Sequence, residues 1–142
     1  IMLRLEIEIA LMEASLKVKD LPDYWNTKFM EYLGLTPPNH SKGVLQDVHW
    51  SNGYFGYFPT YALGNLISVQ IWEKIKQDLP DLEDQITMGE FSKLLGWLRE
   101  RVHKYGAKYE PQELVMKVTG SKIDPQPYLR YLEKKYKEIY GI

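Results

Sequence analysis

The side chains best able to do chemistry are concentrated in one stretch of the chain, residues 43–65. Within it, groups that can donate, accept or exchange protons stand beside aromatic rings, glycines and a proline. Such groups facing a cleft could hold a carboxylate or the oxyanion of a tetrahedral intermediate. The candidate residues are Gln46, Asp47, His49, Trp50, Tyr54, Tyr57 and Tyr61.

The three tyrosines of this stretch allow two interpretations. Tyr54, Tyr57 and Tyr61 are spaced three and then four apart, but the intervening glycines and Pro59 disfavour one continuous helix. In one interpretation the rings form a buried aromatic cluster with satisfied hydroxyl groups. In the other they form a row of phenol and imidazole donors along a cleft. The spacing alone leaves both open.

The elements that must position these residues are predicted to be helical. Apolar residues recur at three-four spacing, and proline and glycine mark helix starts and ends, so the pattern indicates an all-α protein. Residues 35–57 are expected to be a long irregular segment, which is a common place for functional residues. The pattern predicts about six helices, near 1–18, 20–33, 58–78, 88–105, 111–120 and 125–141.

Three local features carry further expectations. Residues 1–18 also alternate like a strand, although their length and composition favour a helix. Thr87 and Glu90 have the spacing of a capping box, which would start a helix at residue 88. Residues 61–72 are apolar on most sides, which is typical of a buried helix.

Composition limits the class of protein. The 142 residues suit one domain, 1–142, and the start of the helical pattern at residue 2 without a cap suggests a piece of a longer protein. The net charge of −1 does not favour nucleic acid. The chain has no run of about 20 apolar residues that could span a membrane, so we expect a soluble protein. The absence of cysteine suits a reducing interior, so a cytoplasmic location is expected. Cysteine is absent, and His40, His49 and His103 lack ligand spacing, so no metal site is expected in this chain.

The segment also resembles a known family. Gly43, Gln46, Asp47, His49 and Trp50 match the G-x-x-Q-D-x-H-W signature of the thermostable, Taq-type metallocarboxypeptidases. The following G-Y-F-G-Y-F-P-x-Y-x-L-G-N is similar to that family too, as is the text from Gln126 to Gly141, so the resemblance covers most of the chain.

This resemblance implies the fold, activity and cofactor of the whole protein. The family is a helical, cleft-type zincin peptidase whose HExxH motif and third metal ligand, a glutamate, lie upstream of the matched region. The chain would then be the C-terminal third of an enzyme that releases single residues from peptide C-termini. Zinc or cobalt would be bound by residues outside this chain, which alone would be inactive. The partners implied are the peptide C-terminus, the remaining polypeptide and, in the complete enzyme, a second copy in a homodimer.

The resemblance also suggests roles for individual residues. In the wider group of helical HExxH peptidases, which includes the thimet-type oligopeptidases, a histidine and several tyrosines line the cleft opposite the metal. By this likeness His49 and Tyr61 are catalytic, with Tyr61 as the oxyanion donor. Substrate contacts and orientation of His49 would come from Gln46, Asp47, Trp50, Tyr54 and Tyr57. The alternative is a non-catalytic helical module that self-associates or binds a partner chain.

Overall fold

A computed structural model describes residues 1–142 as seven α-helices without a β-strand. The prediction of an all-α protein is confirmed, with one helix more than expected. Single turns of 3₁₀ helix interrupt the connections, three of them inside residues 35–57. The helices are α1 (Met2–Met12), α2 (Leu21–Leu33), α3 (Pro59–Asp78), α4 (Leu82–Thr87), α5 (Ser92–Arg101), α6 (Pro111–Thr119) and α7 (Gln126–Tyr140).

The chain divides into two compact units, Ile1–Leu63 and Gly64–Ile142. The first unit contains α1, α2, the irregular segment and the first residues of α3. The second contains the remainder of α3 and the four helices that follow it. The organisation of residues 1–142 as a single domain stays a prediction.

The core of the first unit forms where α1, α2 and the irregular segment meet. Ile7 and Trp25 are buried, and Leu3 and Val44 complete the cluster. Burying an aliphatic or aromatic side chain of this size contributes about 1.5–3 kcal/mol relative to leaving it in water. Val44 therefore holds the irregular segment on the two helices, and Trp50 packs against the same cluster.

The second unit has its own core, built from Ile75, Leu82, Trp97 and Val118. A buried amide supports it, because the Gln70 side chain donates to the Lys122 carbonyl oxygen at 2.9 Å. The Gln70 side-chain oxygen accepts from the backbone N–H of the residue that precedes Pro125, at 3.0 Å. This one side chain therefore joins α3 to the connection between α6 and α7.

Helix α1 is shorter than predicted, because it ends at Met12 rather than near residue 18. Ala14 takes a left-handed conformation, with φ of 57°, and the Leu16 N–H donates back to the Ala10 carbonyl oxygen. An alanine in this region costs roughly 1–2 kcal/mol, which is why glycine or asparagine is the usual signal for such a turn. The strand alternative for residues 1–18 is wrong.

The capping box predicted at Thr87 and Glu90 is also wrong. Thr87 is the last residue of α4, where its hydroxyl donates to the Glu83 carbonyl oxygen at 2.9 Å. Gly89 then takes a left-handed conformation with φ of 77°, and the next helix begins at Ser92. A capping box does occur further along the chain, at the start of α6, where the Glu110 N–H donates to the Glu113 side chain.

Helix α3 begins at Pro59 and ends at Asp78, as predicted, but its first half is not buried. Tyr61 and Leu63 are exposed, and Leu66 and Ile67 are half-buried. The expectation of a buried helix over residues 61–72 is therefore wrong. None of the helices combines the length and the apolar character that crossing a bilayer requires.

Candidate functional site

The segment that carries the candidate residues is a compact loop rather than an extended one. It follows Gly34, which ends α2 in a left-handed conformation with φ of 67°. Gly43 lies so close to its neighbours that an added Cβ would be 3.0 Å from Pro37 Cβ and 3.3 Å from the Asn39 carbonyl oxygen. Asn39 caps the next 3₁₀ turn by accepting from the Lys42 N–H at 3.0 Å. Close packing by glycine therefore sets the path of the loop toward His49.

Asp47 anchors the loop to α1. Its side chain is fully buried, and its Oδ2 accepts a 2.8 Å hydrogen bond from Arg4 Nε on α1. Its Oδ1 accepts from the backbone N–H groups of His49 at 2.8 Å and Trp50 at 3.3 Å. A buried carboxylate needs such partners, because an unpaired one would cost several kcal/mol. Asp47 thus joins the backbone around His49 to a cation on a helix.

Trp50 supplies a second anchor. Its indole Nε1–H donates to Oε1 of the buried Glu8 on α1, at 3.0 Å. The Trp50 ring also meets Trp25 edge-on, with centroids 6.1 Å apart, and stacks with Phe55 at 6.3 Å. The candidate segment is therefore attached to α1 at two points, Arg4 and Glu8.

His49 is the centre of an aromatic cluster that also contains Tyr57, Phe58 and Tyr61. The imidazole stacks on the Tyr57 ring at 5.3 Å and meets Phe58 edge-on at 4.5 Å. Tyr61 stands edge-on to the imidazole, with centroids 6.4 Å apart. The Nδ1 atom of His49 is buried and lies 3.6 Å from Asp47 Oδ1, which is longer than a hydrogen bond. The burial of Nδ1 leaves Nε2 as the ring nitrogen available to a ligand.

The phenol rings of the cluster face solvent. Tyr54 is 59% exposed, Tyr57 47% and Tyr61 45%. The alternative of a buried aromatic cluster is therefore wrong. A hydrogen-bond interaction with Tyr57 is the largest cause that raises the pKa of Tyr61 above its ordinary value, followed by desolvation. The Tyr61 hydroxyl consequently stays protonated, and able to donate, throughout the neutral range.

The remaining candidates lie at different distances from this cluster. Tyr54 joins it through Tyr57, with ring centroids 6.1 Å apart. The exposed Gln46 side chain donates to the Ser41 carbonyl oxygen, so it supports the loop rather than the imidazole. Of the predicted site residues, His49, Tyr57 and Tyr61 are therefore neighbours in one cluster.

Two polar residues of the site escaped sequence reasoning. Arg4 contacts Asp47 and Glu8 contacts Trp50 at sequence separations of 43 and 42 residues respectively. Their signal in the sequence is a charge on the buried side of an otherwise apolar helix pattern, and that signal does not identify a partner. Long-range pairing of this kind requires the fold.

The described residues do not form a metal site. No group of three or more histidine, cysteine, aspartate or glutamate side chains is arranged to hold a metal ion. Around His49 the nearest carboxylate is Asp47, which is already occupied by Arg4 and two backbone N–H groups. The arrangement can bind and orient a carbonyl or carboxylate group through Tyr61 O–H and His49 Nε2, but it does not fit a resident metal.

Comparison with known proteins identifies relatives of this chain. A family model described as Carboxypeptidase Taq (M32) metallopeptidase matches residues 1–136. Thermostable carboxypeptidase 1 of Thermus thermophilus is 46% identical over 141 residues, which cover 99% of this chain and 28% of that protein. Thermostable carboxypeptidase 1 of Pyrococcus furiosus is 41% identical over 136 residues, covering 96% of this chain and 27% of that protein.

A solved structure shows the same fold. The crystal structure of the M32 carboxypeptidase from Deinococcus radiodurans R1 matches with a TM-score of 0.92 and 40% identity, over 99% of this chain and 28% of that one. This chain therefore spans just over a quarter of the length of its relatives. The chain belongs to the Taq-type (M32) family of metallocarboxypeptidases.

Proposed function

We propose that the chain is the C-terminal third of a metal-dependent carboxypeptidase and supplies one wall of its peptide-binding groove. The whole enzyme would release single residues from peptide C-termini. The observation that carries this proposal is the solvent-facing cluster of His49, Tyr57 and Tyr61, held in place by the buried Asp47. Family membership and the length of the relatives support it.

Tyr61 is the proposed oxyanion donor. Its O–H would donate to the scissile carbonyl oxygen, and this bond would strengthen as negative charge develops there. The raised pKa of Tyr61 suits that role, because a phenolate would repel the oxyanion. The neighbouring Tyr57 ring restricts Tyr61 by an edge-on contact at 5.4 Å.

His49 would hold the substrate through Nε2, as a second polar contact on the same wall. Asp47 orients the imidazole by binding the His49 backbone N–H and by placing its charge 3.6 Å from Nδ1. Trp50 would fix the loop through Glu8, and Gln46 through Ser41. Tyr54 and Tyr57, which are exposed, would contact the peptide.

The metal of the complete enzyme, zinc or cobalt, would be held by residues outside this chain. Such an ion polarises a carbonyl and activates water. The residues described here contribute binding, orientation and a hydrogen-bond donor. This division predicts that the chain alone has no peptidase activity.

A chimera provides the test. In it, this chain replaces the matching 141-residue segment of the Thermus thermophilus carboxypeptidase. We expect the folded chimera to release C-terminal residues from a model peptide with zinc or cobalt, and the isolated chain to release none under the same conditions. Peptidase activity from the isolated chain would contradict the proposal. A chimera that has native-like circular dichroism and no activity would also contradict it.

A second candidate function is a helical module that self-associates or binds a partner chain. Exposed apolar side chains favour it, among them Leu45 and Val48 within the candidate segment and Ile139 on α7. Light scattering over a range of concentrations tests this candidate. A mass that rises toward twice 16.7 kDa would support self-association, which would also agree with a homodimer of the complete enzyme.

A further inference from the structure

Arg4 contacts both a buried carboxylate and two aromatic rings, although it lies outside the family signature. It lies on α1, and its side chain is 24% exposed. Its Nε donates to Asp47 Oδ2 at 2.8 Å, so the guanidinium is paired with the carboxylate that holds the His49 backbone. Through this pair, Arg4 on α1 contacts the buried carboxylate whose other oxygen lies 3.6 Å from His49 Nδ1.

The same guanidinium also contacts two aromatic rings. Arg4 Cζ lies 5.0 Å from the centroid of the Trp25 ring and 4.5 Å from that of Phe58. Phe58 in turn meets His49 at 4.5 Å and Tyr61 at 5.7 Å. Arg4 therefore reaches the cluster by a second route, through the ring that separates it from both proposed donors.

These two routes require the chemistry of arginine. A guanidinium is planar, so it can stack on aromatic faces while its N–H groups bind a carboxylate at its edge. A lysine ammonium can pair with Asp47, but it is a compact point charge and cannot fill the space between two rings in the same way. A methionine retains most of the apolar stem and loses both interactions.

We propose that Arg4 is a positioning residue for the groove wall, which fixes the orientation of the His49 imidazole and the Tyr61 phenol at the same time. The inference rests on the proposed function of that wall. Arg4 does not touch the substrate in this proposal. It acts through Asp47 on one side and Phe58 on the other.

The first test measures the geometry without any enzyme activity. The chain has three histidines, His40, His49 and His103, so their ring protons can be assigned and followed by NMR. The His49 protons lie in the ring-current fields of Tyr57 and Phe58, which makes their chemical shifts sensitive to ring orientation. In Arg4→Met we expect the His49 resonances to move more than those of the other two histidines. In Arg4→Lys we expect a smaller shift in the same direction.

Lys28→Met is the matched control. Lys28 is also a cation of the first unit with a carboxylate partner, Glu6 at 3.1 Å, and with a nearby ring, Tyr32 at 5.7 Å. Neither partner belongs to the His49 cluster. We expect the His49 resonances of this variant to match those of the parent chain.

The second test uses the chimera described above. We expect Arg4→Met to lower kcat on the order of 10- to 100-fold with a smaller change in KM, because misplacing a reacting contact by about 1 Å can cost that much. Arg4→Lys should recover part of the loss. Lys28→Met should leave kcat unchanged. A lower kcat in this control would show that any loss of stability in the first unit reduces activity.

The two tests separate this inference from the proposed function. If the His49 resonances of a folded Arg4→Lys chain equal those of the parent, the positioning role of Arg4 is overturned, whatever the chimera does. Unchanged His49 resonances in a folded Arg4→Met chain would overturn the positioning role in the same way. If the His49 resonances move but the parent chimera is inactive, the proposed function fails. Arg4 would then position the His49 imidazole without a role in catalysis.

Discussion

The histidine and tyrosines of the first unit can be compared with the tyrosines that line α7 in the second. Both groups contain neighbouring phenol rings with part of their surface in water. On α7, Tyr128 and Tyr131 stack at 6.3 Å, and Tyr136 and Tyr140 at 5.9 Å. The spacing of these rings resembles that of Tyr57 and Tyr61, which are 5.4 Å apart.

The difference lies in what holds the rings. Around His49, a fully buried carboxylate binds the backbone and a cation. On α7, the charged neighbours form exposed pairs along the helix, such as Lys137 with Glu133 at 2.8 Å. Exposed pairs of this kind contribute little to stability. A buried polar anchor beneath the rings therefore distinguishes the His49 cluster from the tyrosines of α7, whereas the density of phenol groups does not.

The largest expected effect comes from removing one hydroxyl group in each cluster. In the active chimera, Tyr61→Phe should lower turnover about 100- to 1,000-fold, because an oxyanion donor is lost from a preorganised site. Tyr140→Phe, the matched substitution on α7, should leave turnover unchanged. Steady-state kinetics on a model peptide measures both. Equal turnover in the two variants would remove the functional distinction between the clusters.

The next effect concerns the anchor itself. Asp47→Ala leaves Arg4 without its partner and two backbone N–H groups without an acceptor, so it should destabilise the first unit by about 2–4 kcal/mol. Glu133→Ala on α7 should change stability far less, because the pair that it breaks with Lys137 is exposed. Urea unfolding followed by circular dichroism provides the measurement. A small effect for Asp47→Ala would mean that the buried carboxylate does not support the cluster.

Trp50→Phe probes the second attachment to α1. The substitution keeps an aromatic ring but removes the N–H that donates to the buried Glu8, which should cost about 1–3 kcal/mol. The same urea titration measures this. Replacing Glu8 by Gln in the Trp50→Phe background should recover part of the loss, because an amide is less costly to bury unpaired than a carboxylate. No recovery would indicate that lost ring packing, rather than the orphaned charge, causes the effect.

The smallest effect is a shift in titration. Tyr57→Phe removes the main cause of the raised pKa of Tyr61, so that pKa should fall toward its ordinary value of about 10. Because the folded-state pKa of Tyr61 is raised, its contribution to stability is present below about pH 10 and is lost as the pH rises through the folded-state value. Phenolate absorbance, taken as the difference between each chain and its Tyr61→Phe counterpart, reports the change. An unchanged Tyr61 pKa in Tyr57→Phe would show that the Tyr57 hydroxyl does not raise it.

Local signals in the sequence predicted much of this structure. Proline fixes φ and glycine tolerates the left-handed conformation, so the ends of α2, α6 and α7 at Gly34, Gly120 and Gly141 could be predicted. The end of α1 could not, because Ala14 takes its left-handed conformation without a local signal. The short α4 was missed, since its last residue, Thr87, has the residue type of a helix start.

For the candidate site, the sequence could point to candidate residues, but it could not predict the contacts that support them. The signature residues and the tyrosine spacing marked the candidate side chains, and the structure places His49, Tyr57 and Tyr61 together. The exposure of these rings depends on how the start of α3 packs, and the spacing of residues in the sequence does not determine that packing. The pairing of Asp47 with Arg4 depends on the packing of α1 under the loop, and no local pattern encodes a contact over 43 residues.

The two attachment points on α1 have a consequence for changes of chain length. Arg4 and Glu8 are four residues apart and therefore share one helix face, from which they reach Asp47 and Trp50. Inserting or deleting a single residue between them would rotate one relative to the other by about 100°, so the two contacts could not form together. Indels are thus excluded between residues 4 and 8, while the exposed turn after Met12 can accept them without disturbing this register.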